Sequence, residues 1–79
     1  MVAYTTQGGC VKILRGRMYE ATKEYLRGQR EKHIANAEVM LSNPVGIGEH
    51  SDVVDSIVKE LEQVAHFEDM LNALRNHFK

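Results

Sequence analysis

From Asp52 to Phe78 the apolar side chains recur at intervals of three and four. Val54, Ile57, Leu61, Val64, Phe67, Leu71, Leu74 and Phe78 form one stripe. The mean spacing is slightly below 3.6, so the stripe drifts slowly around a helix and favours left-handed supercoiling with a neighbour. Upstream, residues 17–42 are rich in Met, Glu, Ala, Lys, Leu, Arg and Gln, all good helix formers. Between the two stretches stands Asn43-Pro44, which holds the only proline. The ring of a proline pushes the preceding residue out of helical geometry, so the first helix should end there. The pattern predicts helices over about 17–42 and 52–78, joined by roughly eight residues as an antiparallel αα-hairpin. Each helix would be about 40 Å long at 1.5 Å per residue. Counting away from the turn sets Ile34 near Lys59, Leu26 near Phe67 and Met18 near Arg75.

The first helix carries two marked faces. Tyr19, Leu26, Ile34, Ala37 and Leu41, interrupted by Arg30, form the side expected to meet the second helix. Arg30 there needs a counter-charge, and Glu60 or Glu68 lies within reach in the antiparallel register. The roughly opposite side shows Ala21, Gly28, Ala35 and Ser42, spaced seven apart, beside Met18, Tyr25, Lys32 and Val39, also spaced seven apart. A column of small residues lets helix backbones approach closely, and larger neighbours can close over the contact. One partner helix cannot cover both faces. The second face therefore predicts self-association, with a dimeric four-helix arrangement favoured. The residues expected to carry it are Met18, Ala21, Tyr25, Gly28, Ala35 and Val39. The plainer reading is that the small residues are simply solvated.

The first sixteen residues read as a separate N-terminal arm ahead of a hairpin over 17–79. VAYTT and CVKIL are β-branched runs separated by Gln7-Gly8-Gly9, a β-hairpin signal. A lone two-stranded hairpin is marginal in water. The alternatives are an arm that orders on a partner, or an upstream extension of the first helix that Gly16 weakens by about 1 kcal/mol. The expected fold is thus mainly α: an antiparallel helical hairpin with a short arm or β-hairpin, assembling into a helical bundle.

With 79 residues the chain makes one small domain, of a size often helped by self-association. Cys10 is the only cysteine, which excludes an internal disulfide and suits a reduced compartment. No apolar run approaches the roughly 18 residues of a membrane span, and MVAYTTQGG lacks the pattern of a signal peptide. These features point to a cytoplasmic protein with no membrane partner. Net charge is −1, but it is divided unevenly. Residues 1–33 hold seven basic and three acidic side chains, a balance of +4; residues 34–79 hold three and eight, a balance of −5. Complementarity between antiparallel helices accounts for this. A nucleic-acid surface built from Arg15, Arg17, Lys23, Arg27, Arg30 and Lys32 is the alternative.

The connection NPVGIGEHSD places Gly46 and Gly48 ahead of a helix start, where phosphate could bind. It lacks the Gly-Lys-Ser/Thr of a P-loop, and Glu49, Asp52 and Asp55 would repel an anion. A structural corner fits better, with Ser51 or Asp52 as N-cap and Val45 and Ile47 turned inward. Its tip, Gly46, Gly48, Glu49 and His50, is a candidate recognition point. Glu62, His66 and Asp69 share one helical side, but their spacing matches no strong metal motif and a solvated surface is the better reading. No catalytic constellation is present, so no cofactor, metal or catalytic residue is expected.

The stretch HIANAEVMLSNPVGIGEHSDVVDSIVKELEQVAHFEDMLNALRNHF, centred on NPVGIGEH, resembles small uncharacterised helical proteins of large tailed bacteriophages. The resemblance covers a little over half of the chain and leaves out Met1–Lys32. It implies a viral accessory protein in a bacterial host cytoplasm and brings no catalytic residues. The expected function is a non-enzymatic, self-associating protein-interaction module. The alternatives are a nucleic-acid-binding accessory protein and an oligomer that holds a metal or small ligand at its interface.

Overall fold

The computed structural model describes residues 8–42 and 52–78. Two helices account for all of these except Asp52. Helix α1 spans Gly8–Ser42 and helix α2 spans Val53–Phe78. They pack against each other as a hairpin, mainly α as the hydrophobic pattern predicts. The corner residues Pro44, Val45, Gly46, Ile47, Gly48, Glu49 and His50 lie outside the described residues, as does the VAYTT stretch. At the start of α2 the Asp52 carbonyl accepts the Ser56 amide at 3.0 Å, so Asp52 holds the N-cap position. Asp55 in the first turn and Arg75 and His77 in the last oppose the helix dipole.

Register follows from two contacts. The His33 ring meets the Glu60 carboxylate, and the Arg15 guanidinium donates to the main-chain carbonyl of Phe78. From 15 to 33 on α1 and from 60 to 78 on α2 the interval is eighteen residues each, so the pairing holds its step along the hairpin. The predicted register, with Leu26 level with Phe67, is the one observed. Arg15 also supplies a cation where the last carbonyls of α2 have no helical partner.

The N-terminal expectation needs correction. Gly8–Gly16, including the CVKIL run, is helix and not the second strand of a β-hairpin. Extending an existing helix adds one hydrogen bond per residue fixed and needs no new nucleus, whereas a lone hairpin has nothing to pack on. That advantage outweighs the helix penalty of Gly16. As a result α1 continues seven residues past Arg15, and Gly8–Leu14 has no opposing helix among the described residues. Ile13 and Leu14 are exposed there.

The inward line is also shifted from the one predicted. On α1 it comprises Tyr19, Lys23, Leu26, Arg30, His33, Ala37 and Met40; on α2, Val53, Ile57, Glu60, Val64, Phe67, Leu71 and Leu74. Intervals of four and three alternate throughout, which is the seam of a heptad-packed pair. Only Leu26, Ala37 and Leu71 are fully buried among the described residues. Ile34 and Leu41 were expected inside, but a seven-residue step from Leu26 lands on His33 and Met40 instead. For the same reason Val54 and Leu61 yield their inward places to Val53 and Glu60. Arg30 does not pair with Glu60 or Glu68; it binds its neighbour Glu31 at 3.1 Å.

Candidate functional site

A polar layer crosses the seam near the turn. His33 Nδ1 lies 2.6 Å from Glu60 Oε1, and the Asn36 amide donates to the same oxygen at 3.2 Å. Both side chains are well covered, with side-chain exposures of 15% and 19%. The His33 ring stacks on Phe67 at 6.0 Å between centroids and 10° between planes. His66 meets the other side of this group edge-on, 5.1 Å from Phe67. Donation from His33, then from Asn36, holds the Glu60 carboxyl below its ordinary range, with the charges of His33 and Lys32 adding to the effect. Glu60 therefore stays ionised and accepts two hydrogen bonds. The apolar stripes by themselves do not single out His33. The signal that could have found it is the heptad step from Leu26 to His33 and from Phe67 back to Glu60.

The layer sets a histidine, an amide and a carboxylate between two helices. In an antiparallel helix pair, such a group fixes which layers meet, because any slip strands a carboxylate against apolar side chains. No group of three or more His, Cys, Asp or Glu side chains stands close enough to hold a metal among the described residues. Glu62, His66 and Asp69 are all exposed.

The predicted basic set does not gather on one face. Lys23 pairs with Glu20 at 3.0 Å, Arg27 with Glu24 at 2.9 Å, Arg30 with Glu31, and Arg15 with the end of α2. Arg17 and Lys32 are exposed. Heptad positions put these six side chains on five different lines around α1. Their positive charge is therefore dispersed, and three of the six are answered by neighbouring carboxylates, unlike the continuous stripe that tracks a phosphate backbone.

The predicted self-association residues are all in solvent. Met18, Ala21, Tyr25, Gly28, Ala35 and Val39 are exposed, and a side chain at Gly28 would meet nothing within 4 Å. A shallow groove of about 200 Å³ lies at the open end, lined by Arg15, Met18, Tyr19, Thr22, Leu74 and Phe78. The Thr22 hydroxyl there is spent on the Met18 carbonyl at 2.7 Å.

The two flanks of the seam differ. On one flank Gln29 and Asn36 of α1 and Ser56 and Met70 of α2 are half-buried. The other flank consists of the residue following every second inward one: Glu20, Arg27, Ile34 and Leu41 on α1, and Val54, Leu61, Glu68 and Arg75 on α2. In an antiparallel pair these positions share one side. All eight are exposed. The first flank is thus partly covered and this one is open along its length. No helix among the described residues is long and apolar enough to cross a membrane. No protein-family model, curated protein or solved structure matches the chain.

Proposed function

We propose that this protein is a non-enzymatic helical interaction module that self-associates and works by presenting rigid helix surfaces to another protein. The observation that carries this reading is the imbalance between core and surface. Three side chains are fully buried among the described residues, while Leu14, Met18, Tyr25, Val39, Leu41, Val54 and Leu61 remain exposed on two long helices. A chain of this size gains stability by covering such surface with a partner. Straight helices bind with little ordering cost, which suits a module acting by occupation of another protein's surface. The bacteriophage resemblance of residues 33–78 supports placing it among small accessory proteins of a viral kind, active in the host cytoplasm.

Sedimentation equilibrium of the full chain tests the first half of this reading. The expected result is a mass of twice the chain at tens of micromolar. A single-chain mass at every accessible concentration would remove self-association. Affinity purification from the natural cellular setting tests the second half: recovery of a defined protein partner supports it, and recovery of nucleic acid in a salt-sensitive manner overturns it.

A further inference from the structure

The open flank of the seam has an order that a second copy of the chain would match. From the turn outward, α1 presents Leu41, Ile34, Arg27 and Glu20. At the same levels α2 presents Val54, Leu61, Glu68 and Arg75. Two apolar layers are followed by two charged ones, and in each charged layer the helices carry opposite signs. Leu41 is 63% exposed, Val54 71%, Leu61 52% and Ile34 39%. Together they form an apolar patch of roughly 400 Å², the size of the largest patch on a typical monomer, which is often functional. Val58, also exposed, extends it around α2.

We infer that this flank is the interface between two copies, related by a two-fold axis running along the hairpin with both turns at the same end. The inference deepens the self-association reading and rests on it. In that arrangement α1 of one copy faces α2 of the other, antiparallel. The apolar quartet meets its own copy. Arg27 meets Glu68 of the second copy, and Glu20 meets Arg75. Turning one hairpin end over end would set the apolar layers against the charged ones, which desolvates charge without a partner. Packing α1 on α1 would set Arg27 against Arg27. Of these arrangements only the one with the turns together and α1 facing α2 satisfies every layer, so the flank is complementary to its own copy in one direction. Glu68 and Arg75 are exposed and have no ion-pair partner among the described residues. Arg27 is held only by its exposed pair with Glu24, which contributes little and exchanges readily, and Glu20 by a pair with the half-buried Lys23.

Two charge-reversed chains test this. The first carries Glu20→Arg and Arg27→Glu, and the second carries Glu68→Arg and Arg75→Glu. Each alone faces like charges across the interface, and its dimer should weaken about tenfold or more. Mixed in equal amounts, they should recover the native dimer affinity, because each reversed helix then meets an opposite one. Repulsion within a single chain cannot be relieved by mixing, so recovery isolates the contact between copies. Helicity by circular dichroism reports whether each variant is folded. Should a reversed chain lose helicity, Leu61→Gln reads the same surface through a weakening of the dimer by about ten- to hundredfold. Two reversed chains that each keep the native dimer, or whose mixture gains nothing over either alone, overturn the assignment. If the native dimer is instead dissolved by Gly28→Trp and untouched by these changes, self-association stands and its surface is the small-residue face. A native chain that is monomeric throughout sinks both.

Discussion

Near the turn, His33 and Glu60, joined by Asn36 from the flank, share the seam with Ala37, Met40, Val53 and Ile57, while Ile34, Leu41, Val54 and Leu61 stand outside it. Toward the open end, Leu26, Phe67, Leu71 and Leu74 lie in the seam with Tyr19 and Lys23, and Glu20, Arg27, Glu68 and Arg75 stand outside. The open half therefore resembles an ordinary water-facing helix pair. The half near the turn sets one hydrogen-bonding layer among its apolar ones, where a further apolar layer would give more cohesion, and leaves apolar groups where water reaches them. The first half supplies cohesion and the second supplies register together with a surface to be covered. The difference shows why a two-helix chain with so few buried residues can still adopt one alignment.

The comparison breaks first at Leu71, which is only 1% exposed. Leu71→Ala should destabilise the hairpin by about 2–5 kcal/mol, measured by urea unfolding at fixed protein concentration. A loss no larger than that of Leu61→Ala would show that cohesion does not sit in the open half.

The polar layer offers a subtler test. His33→Ala removes the ring stacked on Phe67 and one donor to Glu60, and the lost stacking alone should cost about 1 kcal/mol. The paired change His33→Leu with Glu60→Leu should raise the unfolding midpoint while loosening the register, seen as mixed alignments in cross-linking between the helices. A paired variant with both a lower midpoint and a single alignment would contradict the role given to this layer.

Gly28 lies mid-helix with open space around it. Gly28→Ala should add about 0.5–1 kcal/mol to helix stability, since alanine loses less backbone freedom on folding. A loss of stability or of dimer mass at this small change would mean that the backbone at Gly28 is approached by another chain.

Acid supplies the smallest expected effect. The folded-state pKa of Glu60 is lowered by its bonds to His33 and Asn36. Its contribution is therefore fully present above the ordinary carboxylate range, about 4.3, and is lost as pH falls through the lower folded value. Glu60→Gln should flatten that part of the stability profile in thermal melts between neutral and acid pH. An unchanged slope would assign the acid sensitivity to other carboxylates.

Much of this architecture was legible before any coordinates. The Asn43-Pro44 break, the helix formers before it and the threes and fours after it specify two helices and their antiparallel register, because each is a local or strictly periodic signal. The same signals narrow the N-cap to Ser51 or Asp52, and the Ser56 amide bond identifies Asp52. What they cannot rank is the choice between two neighbouring helical lines. Counting apolar residues selects Ile34, Leu41, Val54 and Leu61 as inward, yet the seam runs through His33, Met40, Val53 and Glu60. That one-residue difference depends on the seven-residue period imposed by two helices coiling together, and on a histidine, an amide and a carboxylate satisfying one another across the gap. Neither condition is a property of one helix. The N-terminal run was misread for a related reason: CVKIL has strand-forming side chains, but the helix already nucleated downstream offers each of its residues a hydrogen bond at once. Local preference settled where the chain turns, and packing between the helices settled which side of each is left in water.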